Sequence, residues 1–362
     1  MNQDKHKLGR IAGLDFARFI AFTGMVFVNF KIAMLPLDAN LGAIGWFFGL
    51  LEGRAAALFV ILAGIGLGLN LKITQLNRQK NSVFAYLTVK RGLFLFAIGM
   101  LNAVIFEADI LHYYGVYFIF AAFLAPLSSA RLRVIIVAIM LAATIMLLVF
   151  NFDEGWNWQT YEYTGFYTLS GGIRNLFYNG WHPVLPWMAF LLIGILLSRV
   201  NLVAKKVQLK MILGGIGITL IGYLISVNLV NMLFSSNDAE LSELIPLVSM
   251  GPVPATLLYM MSATGTACAV IAAAIIIAKK FASLSIVKAI NIAGRQTLTL
   301  YFAHIYLAMG LMNLFDLLGQ FSVNAMVMTA LAFTIISSVY SNIWANYFKL
   351  GPLEMLMRKI AG

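Results

Sequence analysis

Hydrophobic residues occur along the chain in ten long stretches separated by short polar connections. The stretches cover roughly 14–34, 54–71, 91–107, 109–127, 133–151, 184–200, 211–234, 254–278, 293–314 and 324–348. A helix that crosses a bilayer needs about 20 mostly apolar residues. The pattern therefore predicts about ten transmembrane helices in a single transmembrane helical domain over residues 1–362, with an extracytoplasmic aromatic loop at about 152–182.

The amino-acid composition supports a protein of the lipid bilayer. Hydrophobic residues make up 61% of the chain and charged residues 11%, whereas soluble domains average about 45–50% and about 25%. These proportions exclude a soluble enzyme and a nucleic-acid-binding protein. The expected fold class is an all-α polytopic membrane protein.

The distribution of charge predicts the orientation of the chain in the membrane. Basic residues, beginning with Lys5 and Lys7, concentrate in alternate connections, and acidic residues such as Asp238 and Glu240 lie in the others. Only three basic residues fall on the acidic side: Lys31, Arg54 and Arg174. The positive-inside rule therefore places both termini in the cytoplasm, which requires an even number of spans and accounts for the net charge of +11.

Arginines near the basic ends of three spans form one candidate site. Placing an ionisable group at membrane depth costs about 2.5–3.5 kcal/mol on insertion scales, so such groups are candidates for a functional role. Asp15 and Arg18 share a helix face and are either a self-neutralising pair or part of a basic vestibule with Arg91 and Arg295. The planar guanidinium suits phosphate, including the phosphates of a coenzyme A thioester. Snorkelling to lipid headgroups is the competing role.

Asp109 and His112 form a second candidate, on the opposite side of the membrane from the arginines. They lie three residues apart and fit one helical turn. A carboxylate beside an imidazole fixes its tautomer and raises its basicity, as a general base requires. Acidic capping of a helix N-terminus, with a histidine bonded to nearby backbone, is the structural alternative.

Two further histidines are candidates for different reasons. His182 precedes a span, between aromatic residues and prolines, and either acts chemically or belongs to an interfacial aromatic belt. His304 lies nine residues after Arg295, about 14 Å along a helix, and either bonds across helices or lines a cavity. No Cys/His cluster in the sequence suggests a metal site.

Short motifs run in order along nearly the whole chain: Leu14–Arg18 with Gly24–Asn29, Gly53–Phe59 with Ala63–Gly66, Asp109–Gly115, His182–Pro183 with Pro186–Trp187, Gly294–Tyr301, and Gly351–Glu354. Together they resemble the YeiB-like (domain of unknown function 418) membrane proteins. Those proteins are related to the heparan-α-glucosaminide N-acetyltransferase family of transmembrane acyltransferases.

The resemblance implies ten to eleven helices and transfer of an acyl group, usually acetyl, from a cytoplasmic acyl-CoA to a glycan. The heparan enzymes carry a key histidine between their first two spans, and residues 31–51 contain none here. His182 or His112 must therefore serve as base or acyl carrier, with Asp109 orienting His112. Arg18, Arg91 and Arg295 would hold the phosphates of the donor, whose thioester arm would pass His304.

This reading predicts an acyltransferase of a bacterial inner membrane, with acetyl-CoA as donor and an envelope glycan or lipid-linked sugar as acceptor. Membrane lipids are expected partners, and nucleic acid and metals are not. The oligomeric state stays open, a homodimer included.

The main alternative is a transporter or lipid-handling protein in which Asp15, Arg18, the Glu52/Arg54 pair and His304 line a pathway. A non-catalytic partner of an envelope complex is the third reading.

Overall fold

A computed structural model describes residues 10–36, 38–235, 241 and 243–362. Lys5, Lys7, Asp238 and Glu240, which contributed to the charge pattern, lie outside the described residues. Within them the chain is almost entirely helical. Its one strand pairing is a short antiparallel hairpin in which Trp156 faces Tyr163.

The first half of the chain forms six helices: α1 (Ala12–Met34), α2 (Gly45–Leu51), α3 (Arg54–Leu76), α4 (Asn81–Ala103), α5 (Leu111–Leu124) and α6 (Ser129–Val149). The aromatic segment then forms β1 (Trp156–Asn157), β2 (Glu162–Tyr163), α7 (Leu169–Arg174) and a π-helical turn, Asn175–Asn179.

The second half contains α8 (Val184–Leu197), α9 (Lys205–Ser235), α10 (Ile245–Val248), α11 (Leu257–Lys280), α12 (Ser285–Ala293), α13 (Thr297–Ala303), α14 (Gly310–Leu314), α15 (Val323–Ala345) and α16 (Pro352–Ala361). A π-helical segment, His304–Met309, continues α13 into α14. Such segments have one residue more per hydrogen-bonded turn and are frequent at functional sites.

Each of the ten predicted stretches has an apolar helix, which confirms an all-α polytopic membrane protein. Eight described helices are long and apolar enough to cross a membrane. The stretch at 184–200 is the second part of a helix pair, 169–179 and 184–197, bent by 48°. The stretch at 109–127 is reduced to the 14 residues of α5, about 21 Å, which is shorter than a hydrocarbon core of about 30 Å. The cytoplasmic placement of both termini stays a prediction.

Glycines bring several helices into close contact, as is common in lipid, where small residues let backbones approach. A Cβ on Gly64 of α3 would lie 2.1 Å from the carbonyl oxygen of Leu191 in α8, and one on Gly99 of α4 would lie 2.1 Å from the amide nitrogen of His112. The second contact fixes α5, and with it His112, against α4.

Two of the resemblance motifs meet where α16 packs against α13. The Glu354 carboxylate accepts hydrogen bonds from the amide of Leu298 at 2.8 Å and from the Thr299 hydroxyl at 2.6 Å. These contacts satisfy backbone donors that the first turn of a helix leaves free. Burial raises the pKa of Glu354, and the contact ties the C-terminal helix to the start of α13.

Helix α1 connects the two regions that carry the predicted site residues. It packs against α3, α11, α12 and α15. Arg18 lies near its beginning and Asn29 near its end, and the step of 11 positions from one to the other corresponds to about 16 Å of helix. One helix therefore sets the separation of the two regions.

The turn between α2 and α3 requires glycine at position 53. Gly53 has a φ of +68°, and a Cβ there would lie 2.4 Å from the Cβ of Pro252 and 2.6 Å from the Tyr259 hydroxyl. The left-handed conformation alone costs a side chain about 1–2 kcal/mol, so we expect Gly53→Ala to lower the free energy of unfolding by at least about 2 kcal/mol. Denaturant titration in mixed micelles measures this change.

Gly49→Ala is the matched control, because a Cβ at Gly49 meets nothing within 4 Å. Gly49 is helical, so alanine there should be neutral or stabilising. Equal effects of the two substitutions would contradict the interpretation of the turn.

Candidate active site

A cavity of about 440 Å³, hereafter the main cavity, lies at the C-terminal end of α1. It is bordered by α1, the α2–α3 turn, the start of α5, the aromatic segment and the connection before α11. The polar side chains in its wall belong to Asn29, Lys31, Glu52, Asp153 and His182. The aromatic side chains belong to Phe152, Trp158, Tyr161, Trp181 and Tyr301.

His182 lines this cavity from the break between the π-helical turn and α8. Pro183 starts α8 and Trp187 in its first turn packs edge-on against the imidazole, with ring centroids 4.5 Å apart. The Tyr117 hydroxyl donates to the carbonyl oxygen of His182, which fixes the backbone. The imidazole lines the cavity, and its Nδ1 atom is buried without a hydrogen-bond partner.

Asp109 and His112 form a tight buried pair, with side chains 0% and 2% exposed. Asp109 accepts hydrogen bonds from the amide of His112 at 3.0 Å and pairs with its Nδ1 at 2.9 Å. Asn102 donates to the same carboxylate at 2.7 Å. The carboxylate therefore holds Nδ1 protonated and leaves Nε2 as the basic nitrogen, buried without a partner. His112 does not belong to the wall of the main cavity.

His304 bonds across helices. Its Nδ1 contacts the carbonyl oxygen of Tyr301, and its Nε2 lies 2.9 Å from Nδ2 of Asn29. Since only a protonated Nδ1 can donate to a carbonyl, Nε2 accepts from the amide of Asn29. Both nitrogens are thus used, and the consequence is that Asn29 is held in the cavity wall.

Two tyrosines, which the sequence marked only as members of the resemblance motifs, connect these four predicted residues. The Tyr113 ring lies 3.9 Å from His112 and 6.0 Å from His182, centroid to centroid. Tyr301 donates to Asp109 at 3.2 Å and packs edge-on against His304. The structure thus joins His182, His112, Asp109 and His304 in one chain of contacts.

An ion pair in the cavity wall differs from the pairing considered from the sequence. Glu52 pairs with Lys31 of α1. Arg54 donates instead to the carbonyl oxygen of Gly49 at 2.8 Å and to the Ser262 hydroxyl at 3.1 Å. The expected Glu52/Arg54 pair is wrong because Gly53 turns the chain between the two residues.

Arginines converge on Asp15 at the N-terminal end of α1 and form what we call the arginine cluster. Arg10 and Arg18 each donate to the Asp15 carboxylate at 2.7 Å, and the Nε of Arg295 lies 3.6 Å from it. Asp15 is 2% exposed, and the Nε of Arg295 is buried without a hydrogen-bond partner. Three cations around one carboxylate leave a local excess of positive charge.

The third predicted donor residue, Arg91, lies elsewhere. Its guanidinium contacts the carbonyl oxygen of Gly362 at the end of α16. The structure therefore brings Arg18 and Arg295 together and adds Arg10.

Asn179 organises the aromatic segment that covers the main cavity. Its Nδ2 donates to the carbonyl oxygens of Phe152 and Glu154 at 2.7 and 2.8 Å. Its own carbonyl accepts from the Trp156 indole at 2.6 Å. Trp158 stacks on Trp156, with centroids 4.6 Å apart and an interplanar angle of 17°. These contacts hold flat aromatic surface over the cavity.

No group of three or more His, Cys, Asp or Glu side chains among the described residues is arranged to hold a metal ion. The polar chemistry of the cavity wall, as far as the structure describes it, consists of imidazole, amide, ammonium and carboxylate groups together with tyrosine hydroxyls and tryptophan indoles. Acid–base and acyl-carrier chemistry are what such groups perform.

A multi-pass helical membrane protein with a histidine-bearing cavity and an arginine cluster matches the acetyltransferase class. Residues 10–227 match the family model described as "Heparan-alpha-glucosaminide N-acetyltransferase, catalytic". This match covers more than half of the chain, and the chain belongs to that family. Residues 197–362 match the model described as "Protein of unknown function (DUF418)", so the expected relation to YeiB-like proteins is confirmed. No curated protein matches the chain.

Proposed function

We propose that the protein transfers an acetyl group from acetyl-CoA to a hydroxyl or amine of an envelope glycan or lipid-linked sugar at a bacterial inner membrane. The observation that carries the proposal is the His182 imidazole in the wall of the main cavity. An acetyltransferase-like protein needs a base or carrier in contact with its acceptor.

The arginine cluster is suited to the phosphates of the donor. Arg10, Arg18 and Arg295 outnumber the one carboxylate that they share, and the Nε of Arg295 keeps an unused donor. Charge crosses hydrocarbon at high cost, so the phosphates stay at this end of α1. The cavity wall on α1 begins at Met25, seven residues or about 10 Å from Arg18. The uncharged pantetheine arm would cover this distance.

In the main cavity His182 acts as general base. Its imidazole takes the proton from the acceptor hydroxyl or amine while the acceptor oxygen or nitrogen bonds to the thioester carbonyl carbon. The carbon–sulfur bond then breaks, and the thiolate of coenzyme A receives a proton. If His182 is instead acetylated first, its nitrogen bonds to the carbonyl carbon as the carbon–sulfur bond breaks; the acceptor then bonds to that carbon as the bond to His182 breaks, and the freed imidazole takes the acceptor proton. His112, oriented by Asp109, is the second candidate base.

Two features of the cavity wall suit a sugar acceptor. Trp158, Tyr161 and Trp181 offer aromatic surface for a pyranose ring. The Lys31–Glu52 pair and the Asn29 amide offer hydrogen bonds for its hydroxyls. In this proposal His304 is a positioning residue, because its contact with Asn29 uses its second nitrogen.

We expect Arg295→Gln to raise the KM for acetyl-CoA by about tenfold and to change kcat little, because one charge-assisted hydrogen bond to phosphate contributes about 1.5–3 kcal/mol. Initial rates over a range of acetyl-CoA concentrations measure both constants. Lys288→Gln is the control, because Lys288 lies on α12, more than one helix turn before Arg295. This variant should leave both KM and kcat unchanged. A lowered kcat with an unchanged KM would exclude a donor-binding role.

Transfer itself is tested in proteoliposomes given acetyl-labelled acetyl-CoA, with and without envelope glycan lipids. Label on the glycan or on the protein supports the proposal. Label that stays on coenzyme A, with protein shown to be folded, together with counterflow of substrate in the same vesicles, would establish a transporter instead.

A further inference from the structure

A second cavity, hereafter the aromatic pocket, lies on the other side of the stacked Trp156 and Trp158 indoles. Its volume is about 200 Å³. Trp158 lines the main cavity and Trp156 lines the aromatic pocket. The remaining wall consists of Ala103, Glu107, Tyr163, Gly165, Phe166, Tyr167, Thr168 and Asn175. None of the steps of the proposed acetyl transfer uses this pocket.

The rings of the pocket stand at steep angles to one another, as the walls of a box do. Trp156 and Tyr163 meet at 87° with centroids 5.0 Å apart, and Phe166 and Tyr167 meet at 89° at the same separation. Aromatic boxes of this kind recognise organic cations, because the negative faces of several rings surround the positive charge. Tyr163 already has the Arg174 guanidinium 5.7 Å from its centroid.

The charge around the pocket is negative. Among the described residues, no lysine, arginine or histidine forms an ion pair with Glu107. Arg174 pairs with Glu154 instead. Burial and the neighbouring Glu162 raise the pKa of Glu107, against a smaller opposite effect of the Tyr163 backbone amide. A cation bound beside Glu107 would relieve both of these effects.

We propose that the aromatic pocket binds a small organic ammonium group, with Glu107 as its counter-ion and Trp156, Phe166 and Tyr167 as its cation–π partners. The Glu107 carboxylate would attract an ammonium group and would repel an anionic ligand. The ammonium group has two natural sources at a membrane surface: a lipid headgroup and a soluble amine.

The deep side of the pocket is rigid. Asn175 is 2% exposed, accepts a hydrogen bond from the Tyr113 hydroxyl at 2.6 Å and lies in the π-helical turn. Phe166 also packs edge-on against His112, with centroids 5.9 Å apart. The pocket is therefore formed by residues that the surrounding packing already holds, which reduces the entropy lost on binding.

Calorimetric titration of the full chain in nanodiscs with choline tests the site without any acetyl donor. The comparison ligand is 3,3-dimethylbutan-1-ol, which has the shape of choline without its charge. We expect saturable choline binding, weakened at least about fivefold for the uncharged analogue and for the variants Glu107→Gln and Tyr167→Leu, since cation–π and counter-ion contacts each contribute about 1 kcal/mol.

Tyr167 is 71% exposed, so its replacement should leave the fold intact. Glu243→Gln and Tyr347→Leu are the matched controls, because both residues are exposed and lie outside the pocket. Equal affinity for the uncharged analogue, wild-type choline affinity in both pocket variants, or no saturable binding would overturn the proposal.

Two nanodisc compositions distinguish the sources. If phosphatidylcholine in phosphatidylglycerol discs weakens the binding of free choline, a lipid headgroup competes for the pocket. If choline binds equally in both discs, the pocket takes a soluble amine. Either result leaves the proposed acetyl transfer untouched, because no acetyl-CoA is present and His182 lies outside the pocket.

Discussion

His182→Ala is expected to lower kcat for acetyl transfer by about 10²–10⁴-fold, the usual contribution of a positioned general base. The imidazole is the one histidine side chain in the described wall of the main cavity. Loss of that side chain leaves the acceptor proton without a base, or the acetyl group without a carrier. Initial rates with saturating acetyl-CoA and glycan acceptor, in proteoliposomes, measure the change.

His112→Ala is the companion variant, because it removes the second candidate base without altering the wall of the main cavity. A smaller loss than in His182→Ala would assign proton transfer to His182. Unfolding of both variants must be compared with the wild type, since each imidazole packs against Tyr113. Full activity in both variants would make the proposed mechanism wrong.

Asp15→Ala is expected to have the largest effect on stability. It would leave Arg10, Arg18 and Arg295 around a buried site without their shared carboxylate. Removing one partner of a buried ion pair costs about 3–5 kcal/mol, and we expect about 3 because the arginines are partly exposed. Denaturant titration in mixed micelles gives the free energy of unfolding.

Arg10→Gln provides the control for Asp15→Ala, because the Arg10 side chain is 53% exposed and its loss should cost at most about 1 kcal/mol. The double variant Asp15→Asn/Arg18→Gln should recover part of the loss, since it removes charge of both signs. A cost for Asp15→Ala no larger than that of Arg10→Gln would contradict the cluster.

The transmembrane helices could be predicted because lipid imposes a simple requirement of length and apolarity. The helix α5 is the exception. The apolar stretch was predicted from residue 109, but the helix begins at Leu111, where Asp109 accepts a hydrogen bond from the amide of His112. The sequence offered this capping only as an alternative. In the sequence, the prolines were the only indication of the bend before α8.

The candidate site could be predicted in its residue types and only partly in its geometry. Histidines and arginines are rare enough in apolar spans to stand out. Their partners do not: Asn29 and His304 are 275 residues apart, and no local pattern relates them. The same holds for Lys31 and Glu52, whereas Asp109 and His112, on one turn, were found by spacing alone.

One helix, α1, carries both the arginine cluster and the Asn29 wall of the main cavity, so it sets the distance between them. In the proposed mechanism this distance separates the site of the donor phosphates from the site at which the thioester reacts. A donor with an arm shorter than pantetheine would not reach His182. A longer acyl chain would not change the position of the carbonyl, because the distance from the phosphates to the carbonyl depends on the arm alone. The protein would therefore select donors by the distance between their phosphates and their thioester carbonyl. The acceptor would be selected separately, by the aromatic segment.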